Sequence, residues 1–187
     1  MRKHIWIIIA AFITCFVSCQ KDIHFSDNNS LKIAFSTDTV TFDTVFTTIG
    51  SSTRQLKIYN NNDENLKISS IRLLGGNMSQ FSINVDGESG YEFSDVEIYS
   101  KDSIFVFVRV TINPNDHNNP FFVEDKIIFE TNNNKQEVSL TAYGQNAIYI
   151  VADQQITGFP KFKIIADSLQ ETNWTSEKPY VISKPKI

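Results

Sequence analysis

Cysteine is all but missing from this chain: the two present, Cys15 and Cys19, both lie near the N-terminus, so no disulfide can brace whatever folds downstream. Stability there must come from packing. Histidine is nearly as scarce. His4 sits beside the N-terminal apolar segment, His24 in a polar stretch, and His117 in the loop-like run Asn113-Pro114-Asn115-Asp116-His117-Asn118-Asn119-Pro120. This distribution argues against a histidine-based triad, and a solvated His117 is the expectation. Asp116, Glu124 and Asp125 lie near it in sequence, but without the ligand spacing of a metal motif. No nucleophile elbow of the Gly-x-Ser-x-Gly type occurs, and Gly75-Gly76 lacks the strand and helix of a phosphate loop, so it reads as a turn. The carboxylate pairs Asp86 with Glu88 and Asp63 with Glu64 fall in turn-like sequence, where solvated acids are expected. Basic charge is also short, with 17 Lys and Arg against 21 Asp and Glu. That argues against a nucleic-acid partner. No cofactor is implied, and the expectation is that the chain is not an enzyme.

What is present begins with Arg2 and Lys3, followed over residues 5–17 by an apolar run too short to cross a bilayer as a permanent helix. This is the pattern of a secretion signal. The run closes with Phe16-Val17-Ser18-Cys19, which resembles the lipobox of bacterial lipoproteins. The resemblance implies cleavage between Ser18 and Cys19, diacylglycerol on Cys19, and a protein tethered to a membrane by two or three acyl chains. An ordinary secretory signal with a chance cysteine is the alternative. Without Arg2 and Lys3, 15 basic residues face 21 acidic ones, a net charge of −6. Gln20-Lys21-Asp22 resembles part of the export signal that carries lipoproteins of Bacteroidetes to the outer face of the outer membrane, although the further acidic residues stop at Ile23. Outer-membrane anchoring is therefore expected, facing either the cell surface or the periplasm.

Residues 20–30 are polar and without period, as a tether is. From residue 31 to about 143 short alternating runs of Val, Ile, Phe and Thr alternate with Asn, Asp and Gly clusters, and no helical period appears. The inward sets are Val40, Phe42 and Phe46; Leu56 and Ile58; Leu66, Ile68, Ile71 and Leu73; Phe81, Ile83 and Val85; Ile104, Val106, Val108, Val110 and Ile112; Ile127 and Phe129; and Val138, Leu140 and Ala142. The third set changes phase at Ser69-Ser70, which predicts a bulge or a strand passing between sheets. Phe105 and Phe107 occupy the opposite face of the long fifth set, so its first half is expected to be covered on both sides or to meet a neighbour. Asn132-Asn133-Asn134 predicts a hairpin turn, and Asn60-Asn61-Asn62-Asp63 the same. Seven to eight strands in about 115 residues fit an all-β, antiparallel two-sheet sandwich.

The succession Leu56-Lys57-Ile58-Tyr59-Asn60, Leu66-Lys67-Ile68, Phe81-Ser82-Ile83, Asp102-Ser103-Ile104, Ile127-Ile128-Phe129-Glu130-Thr131-Asn132 and Val138-Ser139-Leu140-Thr141-Ala142-Tyr143-Gly144-Gln145 resembles immunoglobulin-like domains of the ASPM/SPD-2/Hydin type. Among these it is most similar to the N-terminal domain of Bacteroidetes lipoproteins. The resemblance implies a fold more than a function. The organisation expected is a signal peptide over 1–18, a lipidated tether over 19–30, an immunoglobulin-like β-sandwich over 31–147 and an extension over 148–187.

In that extension Ile148 to Val151 and Phe162 to Ile165 are candidate strands, separated by Gly158 and Pro160. Trp174-Thr175-Ser176-Glu177-Lys178-Pro179-Tyr180-Val181-Ile182 resembles the beginning of the right-handed parallel β-helix that follows the sandwich in longer Bacteroidetes lipoproteins. A single coil cannot bury its own core, so Trp174, Tyr180 and Val181 are expected to be poorly covered, unless the segment docks on the sandwich as a short β extension.

Two surface features remain. Tyr91, Phe93, Tyr99, Phe121 and Phe122 lie near loops and could form a platform for sugar rings, whereas most other aromatics alternate along strands as core. The triplets Asp38-Thr39-Val40, Asp43-Thr44-Val45, Asp102-Ser103-Ile104 and Asp167-Ser168-Leu169 resemble acceptors of the O-glycosylation system of Bacteroidetes, which implies sugar on Thr39, Thr44, Ser103 and Ser168. The alternative is that such polar pairs simply open strands. Two functions follow: a non-enzymatic spacer or interaction module of the cell envelope, with the membrane as its one definite partner, or a glycan-binding lipoprotein of a polysaccharide-uptake system.

Overall fold

A computed structural model describes residues 23–114, 121–165 and 174–183. Ser18, Cys19, Gln20-Lys21-Asp22, Asp116, His117 and Ser168 lie outside the described residues. Alternation of apolar and polar side chains gives strands with one buried face, and these stack as two sheets. The first sheet runs in the order β1 (Ala34–Phe35), β3 (Arg54–Tyr59), β8 (Ser103–Val110), β5 (Phe81–Val85), β6 (Glu88–Gly90). The second runs β2 (Thr39–Phe46), β10 (Asn134–Gln145), β9 (Phe121–Thr131), β4 (Leu66–Leu73), β7 (Glu92–Ile98). With β3, β8 and β5 in one layer and β4, β9 and β10 in the other, this is the immunoglobulin-like sandwich. Its ladders are antiparallel apart from one, in which β2 runs parallel to β10. A separate pair, β11 (Ile148–Val151) and β12 (Tyr180–Ser183), is also parallel.

Leu56, Ile58, Leu66, Ile68, Ile71, Phe81, Ile83, Val106, Val108, Val110, Ile127, Phe129, Val138 and Leu140 all meet in one core between the sheets. Each such aliphatic or aromatic side chain taken fully out of water contributes about 1.5–3 kcal/mol. The phase change at Ser69-Ser70 is a β-bulge within β4, where the register against β9 shifts and the Ser69 hydroxyl donates to the Glu130 carbonyl at 2.9 Å. Asn132 and Asn133 have φ of 48° and 60°, the left-handed pair that a two-residue hairpin between β9 and β10 requires.

Several details differ from the sequence reading. Phe46 does not point inward: the register of β2 against β10 shifts past Thr41, Asp43 and Thr44 both turn outward, and Val45 takes the buried position. Ile104 is only partly buried, whereas Ile128, on the outer face of β9, is almost wholly covered. Its flanking Lys126 pairs with Glu137 and Glu130 with Arg72, and the aliphatic stems of such pairs shield apolar surface. The cluster at Asn60 to Asp63 is not a hairpin. It carries the chain from β3 in one sheet to β4 in the other, and its hub is a fully buried Asn60.

Strand β7 escaped the periodicity because Asp95, with φ of 55°, breaks the alternation between Phe93 and Val96. The expected tether is also shorter than residues 19–30. Asn65 Nδ2 donates to the His24 carbonyl at 3.0 Å, Ser26 N–H to the Asn65 carbonyl at 2.9 Å, and Asn132 and Asn134 amides to the carbonyls of Asn28 and Asn29 at 3.0 and 2.8 Å. Phe25 packs 6.2 Å from the Tyr99 ring, under Lys67. Polar backbone contacts of this kind leave no hydrophobic period to read.

Candidate functional site

Because Val106, Val108 and Val110 fill the core, the intervening Phe105, Phe107 and Arg109 must project from the outer face of the first sheet. The register sets Lys57 and Gln55 of β3 beside Phe105 and Phe107, and Asn84 and Ser82 of β5 beside Phe107 and Arg109. No further layer lies over the two phenylalanines among the described residues: they are 39% and 38% exposed, with ring centroids 6.2 Å apart and planes at 29°. Of the two alternatives for this face, covering on both sides is thereby corrected, and a meeting with a neighbour is left. The Lys57 ammonium lies 5.2 Å from the Phe105 centroid and 5.1 Å from that of Tyr59.

Beside Phe107 the surface sinks into a concavity of about 430 Å³, lined by Thr53, Ser82, Asn84, Ser89, Tyr91 and Arg109. Asn84 is fixed by its neighbours, donating through Nδ2 to the Ser89 hydroxyl at 3.0 Å and accepting from Gly87 N–H at 3.2 Å. Gly50 gives the Arg109 guanidinium its space, since a Cβ there would lie 3.1 Å from Nη2. Arg54 and Arg72 pair with Asp43 and Glu130, whereas Arg109 pairs with no carboxylate among the described residues. The arrangement suits binding: flat apolar rings, a fixed amide, hydroxyls, and a planar cation.

A second concavity of about 480 Å³ opens between Leu74, Met78, Val123 and Leu140 at the end of the sandwich. Its Asp125 carboxylate is already engaged, accepting from the Ser79 hydroxyl and from Gly75 N–H at 3.1 Å. It serves to pin the turn at Gly75-Gly76 to β9.

The other residues singled out in the sequence fall as follows. Tyr91 belongs to the concavity beside Phe107, Tyr99 meets Phe25 at one end of the sandwich, and Phe122 meets Tyr143 at 5.4 Å with ring planes tilted by 57° on the outside of the second sheet. Phe93 and Phe121 are partly buried against the core. The exposed aromatics therefore divide between faces instead of gathering at one end. Asp86 and Gly87, with φ of 48° and 93°, turn the β5–β6 hairpin, while Asp63 pairs with Lys101 at 2.8 Å.

Thr39 and Thr44 share the edge strand β2, and Ser103 begins β8 on the other sheet. Thr39 and Ser103 each open a strand, as the alternative reading has it. Thr44 does not: it is mid-strand, and the bulge leaves it exposed. Phe105 and Phe107 were visible as an outward pair in the sequence, whereas Arg109, two residues on in the same alternation, was missed; a period of two also cannot say whether a face is covered.

In the extension, Ile148 to Val151 is a strand as expected, but Phe162 makes only a single bridge to Gln154. Trp174 is 50% exposed and meets the Tyr180 ring edge-on at 4.5 Å, while Tyr180 and Val181 are partly covered through pairing with β11. The Tyr149 hydroxyl donates to the Thr47 carbonyl and ties β11 to the sandwich.

No protein-family model matches the chain, and no curated protein is similar to it. Solved structures are similar at low identity. A protein of unknown function from Porphyromonas gingivalis W83 is 11% identical over 59% of this chain and 46% of its own, with a TM-score of 0.43. The periplasmic chaperone SfaE is 14% identical over 62% of this chain and 58% of its own, at 0.40. The E. coli chaperone DraB is 11% identical over 60% and 54%, also at 0.40. The chain spans about half the length of these structures, and likeness at this level carries nothing about function.

Proposed function

We propose that the chain is a non-enzymatic lipoprotein of the outer membrane, anchored through Cys19, whose sandwich is an interaction module held off the membrane. The observation that carries the module reading is the uncovered Phe105–Phe107 pair, held on the central strand of a rigid sheet. Exposed aromatic pairs on a soluble domain mark contact surfaces. A second reading, glycan binding, is favoured by the concavity next to Phe107, where hydroxyl, amide and guanidinium groups stand among apolar surface. We further propose kinship with Bacteroidetes lipoproteins in which a β-helix follows the sandwich. The parallel β11–β12 ladder supports this, because parallel pairing across a long excursion is how such coils stack.

The anchor is tested by Cys19→Ala, which should move the protein from the membrane to the soluble fraction and abolish palmitate labelling; unchanged fractionation and label would overturn it. Protease added to intact cells should digest the wild type, whereas full protection would place it on the periplasmic side. For the module, the mature protein is run in native gels containing neutral or acidic polysaccharides. Retardation that Phe105→Ser with Phe107→Ser removes supports glycan binding by this face. Migration unchanged in every gel overturns the glycan reading and leaves the spacer role.

A further inference from the structure

We infer that the ligand of the first sheet's outer face is an acidic glycan, its carboxylated sugar ring lying on Phe107 and its carboxylate meeting Arg109. The inference rests on the glycan-binding reading and specifies it. Arg109 and Phe107 are alternate residues of β8, so their backbones stand about 6.7 Å apart on one face, which places a cation one ring's width from an aromatic platform. Phe105 continues the platform at 6.2 Å, and Lys57 adds a second positive charge at its far end.

Charge complementarity decides the class of ligand. The chain as a whole is acidic, with a net charge of −4. Yet the outward residues of the three central strands here, Gln55, Lys57, Phe105, Phe107, Arg109 and Asn84, include two cations and no carboxylate. A planar guanidinium with no carboxylate partner among the described residues presents a two-pronged donor matched to a carboxylate. Ser82, Asn84 and Ser89 line the adjoining hollow with groups suited to sugar hydroxyls.

Two other occupants fit less well. An anionic bilayer would meet a convex apolar surface, and this one is hollowed beside Phe107, with Ser82, Asn84, Ser89 and Arg109 set in its wall. A second copy placed face to face would oppose Arg109 and Lys57 to like charges.

The test uses the mature full-length protein with polygalacturonate, its methyl ester and neutral dextran as probes, by affinity electrophoresis and calorimetry. Wild type should bind polygalacturonate and lose about tenfold in affinity with Arg109→Gln or with the methyl ester, and weaken further as salt rises. Arg109→Lys should fall between, and Phe107→Ala should weaken binding while leaving the urea midpoint near wild type. Equal binding of acidic and neutral probes, unaffected by Arg109→Gln, would overturn the charge inference and leave the glycan reading intact. No binding to any probe would overturn both. Binding only to phosphatidylglycerol vesicles, or self-association lost in Phe107→Ala, would assign the face to a membrane or to a second copy and overturn the proposal.

Discussion

Removing the Asn60 side chain should cost more than any surface contact in the sandwich. Its Nδ2 group donates to the carbonyls of Glu64, Ile98 and Tyr99 at 2.8, 3.1 and 3.1 Å, and its Oδ1 accepts from Asn62 N–H and Nδ2 at 3.0 and 2.9 Å. The amide has two hydrogens for three carbonyls, so two bonds' worth of donation is lost in Asn60→Ala, about 1 kcal/mol each. The Ile98 carbonyl lies on the buried side of this network and would be left without that donor, adding about 1–2 kcal/mol. The sum is about 3 kcal/mol, or a fall in Tm of about 10 °C for a domain of this size. Asn60→Asp should be worse at neutral pH, because a carboxylate would face three carbonyl oxygens. Burial and those carbonyls raise its folded pKa above the unfolded value, so the variant is best supported at acid pH and loses stability as pH rises through the folded pKa. Urea unfolding followed by far-ultraviolet circular dichroism at pH 4 and pH 8 measures both. A loss below about 1 kcal/mol in Asn60→Ala would refute the view that this residue joins the β3–β4 crossing to the β7–β8 loop.

Gly144→Ala should destabilise by about 1–3 kcal/mol in thermal unfolding, because the new Cβ would lie 2.6 Å from Phe121 Cζ and 2.8 Å from Ile112 Cγ2. Protein from its native host should be heavier than the lipidated polypeptide, with the excess falling most in Thr44→Ala, the exposed mid-strand acceptor; unchanged mass in the variants of Thr39, Thr44, Ser103 and Ser168 would end the glycosylation proposal. Limited proteolysis should trim the chain back toward Gly144 and leave the sandwich intact, since Ile156, Phe159 and Trp174 are more than half or half exposed; a resistant extension would show that something covers them.

The sandwich was legible because five of its strands, β3, β5, β8, β9 and β10, keep a period of two with apolar residues inward, and burial of that face overrides other choices. Legibility failed where the chain inserts a residue or makes polar contacts. The bulge after Thr41 shifted Phe46 outward, the left-handed backbone at Asp95 hid β7, and the asparagine contacts that dock residues 24–30 have no hydrophobic signature. Phe105 and Phe107 were placed on one face by alternation alone, and the same alternation carries Arg109. That Arg109 has no acid partner among the described residues and adjoins a hollow depends on how β3, β5 and β6 lie beside β8, which only long-range pairing sets.

The parallel pairing of β2 with β10 has a mechanical consequence. Strands that run the same way side by side mean that the chain comes into the sandwich at one pole, near Thr39 and Ser139, and leaves at the other, beside Phe46 and Gln145. Tension between an anchored N-terminus and anything attached beyond Gln145 would act along the strands, loading this ladder in shear, so that its hydrogen bonds resist together instead of opening one by one. A pull applied between Thr39 and Gln145 would then have to break this ladder as a whole before the second sheet opened.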